Sequence, residues 1–546
     1  MNSSKRRVEL YDTTLRDGTQ GAGVSLSLVD KIELTRLLDQ AGFDYVEGGY
    51  PLSNPKDAAY FEKVRGLALR HAKVVAFGMT RRRGVAAAED EGMRALVAAG
   101  TPVIAIVGKT WDLHVKEVLR VSEEENLAMI EDSVRHCVEA PGVEAVFYDA
   151  EHFFDGWNAN RAYALETLRA AARGGASRLV LCDTNGGSLP GFIAEAVAAA
   201  EEAVAAEFPG LRGGVAIHPH NDAGLAVANA LSAVAAGAVQ VQGTINGIGE
   251  RCGNVDLITV AANLVFKLGH DCLRPGALAG LRTLSRAVDA RAQLAPQPGQ
   301  PWVGDNAFTH KGGMHVHAVQ RIAHSYEHAD PASVGNQRRI LVSELSGASN
   351  IAATLGARLG IDADRPLQRQ LLERVQDLEH AGYQFENAQA SLELLARGLM
   401  GQRVDFWTLD HYRCIIHRRG GRAGGPPGGI NTEAVVRMTI DGVEEHRVAG
   451  GDGPINALDG ALRKCLRDHH PGIDRLHLAD FSVRAVNPTA ESAAKVRVVI
   501  RFDVRGGGDD ASFGTTGVNE NIVDACFEAL SDAFRHFLAD QASRPA

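Results

Sequence analysis

Two histidines two residues apart, in His218-Pro-His220-Asn-Asp222, are the side chains here whose spacing most directly invites chemistry. The apolar run Gly214-Val-Ala-Ile217 before them reads as a strand, and Gly224–Gly237 after them has helical spacing and much alanine. Alternate residues of a strand face the same way, so both imidazoles can converge on one ion at the strand's carboxyl end. Imidazole suits several divalent metals. Taken alone, the segment reads equally as two hydrogen-bonded histidines on an ordinary loop, so the surrounding elements must decide.

Those elements repeat. From Val8 to about Leu268 a short apolar strand, a polar or glycine-containing loop and an amphipathic helix recur. The strands are expected at Val8–Asp12, Asp44–Glu47, Lys73–Gly78, Val103–Val107, Val143–Asp149, Arg178–Cys182, Val215–His218 and Val239–Gly243. The helices are expected to begin near Leu28, Pro55, Gly84, Ser122, Asn158, Pro190, Gly224 and Gly253. Strands and helices alternating in this number, over about 260 residues, make a (β/α)8 TIM barrel, an α/β fold. A doubly wound open sheet is the alternative, but the first βα turn lacks its G-x-G-x-x-G opening.

A barrel places its site at the carboxyl ends of its strands, and polar residues gather there. Arg16 and Asp17 follow the first strand, Glu47 ends the second, and Asp149 and Glu151 close the fifth. Asp183-Thr184-Asn185 follow the sixth, His218 and His220 the seventh, and Asn246, Glu250 and Asn254 the eighth. Helix capping accounts for only one or two such residues per loop. Asp17, His218, His220 and the weaker Asn254 offer mixed oxygen and nitrogen ligands for Mg²⁺, Mn²⁺, Co²⁺ or Zn²⁺, with positions left for a chelating substrate. Arg16 beside them would aim a fixed charge at a developing oxyanion; a plain salt bridge to Asp12 or Asp17 is its alternative. The glycine-rich Gly247–Gly253 could instead cradle a phosphate, and Cys252 within it could act as a nucleophile, although no histidine adjoins it in sequence.

With 546 residues the chain exceeds one ordinary core. Residues 1–295 read as the catalytic barrel, 296–403 as linker subdomains and 404–546 as a C-terminal α+β domain of regulation or dimerisation. Pro296–Pro301 breaks the barrel pattern, and helices are expected near Asn350–Leu359, Leu367–Ala381 and Ala388–Gly401. The last part reads as two βββα units. Strands are expected at Asp410–His417, Ala434–Asp441 and Glu444–Ala449 with a helix at Pro454–Arg467, then at Leu476–Val486, Val496–Val504 and Ala511–Thr515 with a helix at Val518–Leu538. Gly420–Gly429, with six glycines and two prolines, is expected to be a surface loop.

The net charge of −10 argues against a nucleic-acid or anionic-membrane partner. No apolar run spans a membrane, and the polar Met1–Arg7 gives no signal peptide. Seven dispersed cysteines without a C-x-x-C pair fit reduced thiols and a cytoplasmic address.

Asp12-Thr-Thr-Leu-Arg-Asp-Gly18, His218-x-His220-Asn-Asp222 and Gly247-x-Gly-Glu-Arg-x-Gly-Asn254 resemble the three signatures of the metal-dependent Claisen-condensing enzymes, the 2-isopropylmalate, homocitrate and citramalate synthases. The likeness covers nearly the whole chain. Glu47–Asp57, Asp149–Gly156, His310–His315 and Val342–Gly347 look most like the citramalate branch. The resemblance implies an acyltransferase that condenses acetyl-CoA with pyruvate, giving citramalate and CoA for isoleucine synthesis through 2-oxobutanoate. It makes Asp17, His218, His220 and, more loosely, Asn254 the metal ligands. Arg16 would stabilise the oxygen that becomes alkoxide, Thr184 would contact the oxoacid carboxylate, and Glu47 would join them in substrate binding. Glu151 would orient groups or water over the reacting centre. His315 would be the general base, paired with Tyr326, on a segment that in the family reaches into the partner's barrel, so a homodimer is implied. The C-terminal repeat would be a candidate site for an amino-acid effector. Rival readings are a 2-isopropylmalate synthase acting on 3-methyl-2-oxobutanoate, a related acyl-CoA lyase, and a non-catalytic sensor. A second metal site at His315-x-His317 is disfavoured, because no carboxylate-bearing strand end accompanies it.

Overall fold

The computed structural model describes residues 6–343, 346–418, 430–487, 494–506 and 512–543. The expected loop at 420–429 lies outside them, as do residue 511 and part of the Val342–Gly347 motif. The chain divides into two compact units: residues 1–308 with 329–338, and 309–328 with 339–546.

The first unit is a closed barrel of eight parallel strands in sequential order. They are β1 (Glu9–Asp12), β2 (Tyr45–Gly49), β3 (Lys73–Met79), β4 (Val103–Lys109), β5 (Ala145–Glu151), β6 (Arg178–Asp183), β7 (Val215–Pro219) and β8 (Gln240–Gly243). Strand alternation sorts their side chains. Tyr11, Val75, Val103, Ala105, Phe147, Val180 and Ala216 fill the inside, while Leu10, Val46, Val74, Ile104, Ile106, Val146, Leu179 and Ile217 face the helices. The Arg178 guanidinium pairs with both oxygens of Glu9, at 2.9 and 3.1 Å, and Gln240 donates to Glu9 at 3.0 Å.

The largest differences from expectation among the barrel helices are at two starts, with the helix expected near Gly253 beginning at Leu257. The third helix begins at Glu91, not near Gly84, because the Asp90 carboxylate caps it by accepting from Gly92 and Met93. The helix after β5 begins at Phe153, five residues before Asn158, and its kink falls at Asn160, where φ is −149° and ψ 80°.

The second unit opens with the short pair β9 (Thr309–His310) and β10 (Arg339–Ile340). Helices Arg365–His380 and Gln389–Leu399 follow. The expected repeat is present. Antiparallel β11 (Thr408–Arg418), β12 (Ile430–Ile440) and β13 (Val443–Gly451) lead to the helix Pro454–Leu466. β14 (Leu476–Ala485), β15 (Val496–Val504) and β16 (Ser512–Asn519) lead to the helix Ile522–Ala542, four residues later than expected. Alternate residues Ala434, Val436, Met438 and Ile440 of one central strand, and Val498, Ile500 and Phe502 of the other, supply the core of both halves. Among the described residues no helix is long and apolar enough to cross a membrane.

One buried ion pair holds the rim of the barrel after β2. The Lys31 ammonium, 1 % exposed on the first helix, donates to Gly48 O at 3.0 Å and Asp57 Oδ1 at 2.5 Å. Asp57 Oδ2 in turn accepts from Tyr50 N and Ser53 Oγ, each at 3.2 Å. Lys31→Met leaves the Asp57 charge buried and unpaired, at a cost of about 3–5 kcal/mol. Urea unfolding should show that loss, and Lys31→Met with Asp57→Asn should recover part of it.

Candidate active site

Five consecutive strands each send two side chains, two residues apart, to one cavity at the carboxyl end of the barrel. They are Phe77 and Met79 from β3, Val107 and Lys109 from β4, Asp149 and Glu151 from β5, Cys182 and Thr184 at β6, and His218 and His220 at β7. Arg16, Asp17, Gln20, Tyr50, Glu250 and Arg251 complete the wall of a space of about 330 Å³.

Three buried ligand-bearing side chains meet in this wall. Ligand atoms of Asp17, His218 and His220 lie within 4.8 Å of one another, and this is the one such cluster among the described residues. His218 Nδ1 lies 2.9 Å from Gln242 Oε1. Donation there fixes the tautomer and leaves the Nε2 lone pair facing Asp17 Oδ2 at 3.2 Å. Two lone pairs at that separation call for a proton or a cation between them. Burial disfavours the Asp17 carboxylate, but the charge of Arg16 beside it outweighs this and holds its pKa well below the usual range. For His220, burial and the neighbouring His218 push the imidazole down to about 4, which keeps it neutral and ligand-ready.

Asn254 is present as well. Its Nδ2 lies 3.0 Å from Asp17 Oδ2 and 3.1 Å from His218 Nε2, while Oδ1 is buried with no partner, as is His220 Nδ1. A half-turn of the amide would present Oδ1 to the same point. Buried polar atoms without partners are rare and costly, and here they fit a site built for a cation. The glycine loop permits the approach. A Cβ on Gly249 would meet Asn254 Oδ1 at 2.1 Å, and one on Gly253, where φ is +90°, would meet Gly247 O at 1.9 Å.

Arg16 is clamped. Its Nε donates to Glu47 Oε1 at 2.5 Å and its guanidinium lies 3.9 Å from the centre of the Phe77 ring. Glu47, expected to bind substrate, is fully buried and accepts from the hydroxyls of Thr13 and Tyr11 as well as from Arg16. Both of its oxygens are thus used inside the protein, and what it holds in place is Arg16. Thr184 lines the cavity, and its Oγ1 accepts from His152 N at 2.8 Å, which leaves the hydroxyl proton free to donate. Glu151 pairs with Lys109. Burial and the nearby Glu47 push Asp149 up to about 7.

His315 and Tyr326 belong to the second unit, where their rings lie 4.4 Å apart and both side chains are exposed. Asn246 turns away from any ligand role. It adopts φ 62° and donates to Asp289 at 2.7 Å and to Ser285 O at 2.9 Å. Cys252 is an exposed free thiol. Sequence reasoning missed Lys109, Gln242 and the Arg251–Asp222 pair at 2.9 Å. Only Gln242 carried a local sign, since two glutamines, 240 and 242, sit in a strand that is otherwise apolar or glycine.

The HMGL-like family profile matches residues 7–285, the homocitrate synthase post-HMGL domain-like profile 302–382, and the LeuA allosteric (dimerisation) domain profile 386–538. The (R)-citramalate synthase of Geobacter sulfurreducens is 44 % identical over 97 % of this chain and 97 % of its own. That of Aquifex aeolicus is 45 % identical over 96 % of this chain and 97 % of its own. The (R)-citramalate synthase of Streptomyces coelicolor is 41 % identical over 98 % of each.

The Gln242 contact generates a test. Gln242→Leu removes the acceptor that orients His218 and should weaken Mn²⁺ binding by about 10–100-fold. Isothermal titration measures this, and turnover should return at high Mn²⁺ concentration.

Proposed function

The chain belongs to the family of the 2-isopropylmalate, homocitrate and citramalate synthases, and from this we propose that it condenses acetyl-CoA with pyruvate to give citramalate and CoA, as its relatives' name implies. The observation that carries the reading is one cavity whose wall combines Arg16 and the Asp17–His218–His220 cluster with the apolar Phe77, Met79, Val107 and Cys182. The first set suits anionic oxygens and the second a methyl group.

A divalent cation held by Asp17, His218 and His220, with Asn254 as the loosest ligand, would supply Lewis-acid polarisation of the keto group. The protein's own groups do the rest. The Thr184 hydroxyl donates to the oxoacid carboxylate. Arg16, held over the Phe77 ring by Glu47, keeps a positive charge fixed where the keto oxygen gains negative charge. His315, paired with Tyr326 on the segment that in the family reaches into the partner's barrel, takes a proton from the acetyl methyl, that carbon attacks the keto carbon, and the alkoxide so formed takes up a proton to become the hydroxyl. Placement of the two partners side by side lowers the entropic part of the barrier. Water then cleaves the thioester under Glu151, releasing CoA.

The domain division near 295 belongs to this reading and is supported by profile matches that end at 285 and resume at 302, whereas the C-terminal profile starts at 386, ahead of the division read at 403. A homodimer with an amino-acid effector at the C-terminal repeat also belongs to it, supported by the match to the allosteric (dimerisation) domain. A cytoplasmic address is supported by seven free cysteines. The reaction would feed isoleucine synthesis through 2-oxobutanoate.

CoA release is the test, measured with Mg²⁺ or Mn²⁺ and with pyruvate, 2-oxobutanoate, 3-methyl-2-oxobutanoate or 2-oxoglutarate offered separately. Pyruvate should give the highest kcat/KM. One extra branch in the pocket discriminates by about 10–200-fold, so preference for the branched acid would move the enzyme to 2-isopropylmalate synthesis. No release with any acceptor would overturn the condensing reading.

A further inference from the structure

Lys109 lies in the cavity wall with no role yet given to it. Its carbonyl-end position on β4 is rigid. Lys109 and Glu151 are register partners across β4 and β5, and Thr110 N donates to Glu151 O at 3.3 Å. Asn126, fully buried, donates from Nδ2 to Lys109 O at 2.9 Å and to the Tyr163 hydroxyl at 2.8 Å. Residue 108 must be glycine for β4 to lie this close to β5, since a Cβ there would meet the Tyr148 ring at 2.7 Å.

On this frame the Lys109 ammonium bonds Glu151 Oε2, with the two side chains 16 % and 25 % exposed. Among the described residues it is the one ion pair that either side chain makes. Charge-assisted bonds of this kind, half withdrawn from solvent, are stronger and better oriented than surface pairs. A flexible carboxylate beside an anionic oxoacid would be repelled from it. A carboxylate tied at one oxygen to a cation is both neutralised as a pair and fixed in direction.

We propose that Lys109 is the positioning residue for Glu151: the ion pair across β4 and β5 holds the carboxylate in one orientation in the cavity wall, and Lys109 itself touches neither substrate. The proposal deepens the condensing reading and rests on it. It makes Lys109 act through Glu151 alone, which a double-mutant cycle detects directly.

The experiment compares wild type, Lys109→Met, Lys109→Arg, Glu151→Gln and the double variant Lys109→Met with Glu151→Gln, each as the full chain with Mn²⁺. Lys109→Met should lower kcat by at least about tenfold, in the range typical of a mispositioned acid–base group, with KM for pyruvate changed less than about threefold. Lys109→Arg, which keeps the charge, should restore most of kcat. In the Glu151→Gln background Lys109→Met should cost nothing more.

A kcat within twofold of wild type in Lys109→Met would overturn the proposal. So would a loss carried by KM for pyruvate, which would make Lys109 a substrate contact, or full additivity in the double variant, which would make its role independent of Glu151. Thermal unfolding checks each variant. Should Lys109→Met not fold, Lys109→Gln carries the same comparisons. Absence of CoA release in the wild type is a separate result, and it would refute the condensing reading instead.

Discussion

Asp17 Oδ2 and His218 Nε2 face each other at 3.2 Å, and the rest of the site follows from that opposition. Gln242 fixes the imidazole from behind, so the nitrogen that faces Asp17 is the one with a lone pair. Arg16 supplies the charge that keeps Asp17 ionised despite its burial. Glu47 and Phe77 in turn keep Arg16 from collapsing onto Asp17, and the two side chains remain 3.5 Å apart. Asn254 closes the set and can do so only because residues 249 and 253 are glycine. Two atoms of the set, Asn254 Oδ1 and His220 Nδ1, are buried without a partner. Unpaired donors and acceptors at this burial are a net cost to folding.

The barrel solves the placement problem with strand periodicity. Residues two apart on β3 to β7 point into one cavity, so each strand contributes a deeper and a shallower position. The two positions carry different chemistry. The deeper ones include Phe77, Val107, Asp149 and Cys182, which are apolar or, for Asp149, pushed towards neutrality by burial. The shallower ones include Lys109, Glu151 and Thr184, whose charges and hydroxyl keep some contact with solvent. A substrate entering this space meets orienting charge at the mouth and a drier, more strongly interacting interior below.

How much of this was legible in the sequence depends on how local the signal was. The eight strands were legible to within two residues at each end, because alternation and short apolar runs are properties of five to seven consecutive residues. Asp17, His218, His220 and Asn254 were legible because a barrel gathers its strand ends whatever the helices do. The start of the third helix was not, because the Arg81–Asp90 stretch scans as helical until the Asp90 cap is seen. Glu47 was placed at the right strand end but assigned to substrate, since nothing in the sequence tells that Tyr11, Thr13 and Arg16 all reach it. Lys109 was invisible for the same reason: its partner lies 42 residues away and becomes adjacent only through strand register.

The claim on which the account turns is that Asp17 and the two histidines hold a divalent cation. Electron paramagnetic resonance of Mn²⁺ titrated into the full chain tests it most directly. The account predicts one saturable site per chain, weakened by at least about tenfold in Asp17→Asn with the circular dichroism spectrum unchanged. An equally tight site in Asp17→Asn, or no saturable site in the folded wild type, would contradict it.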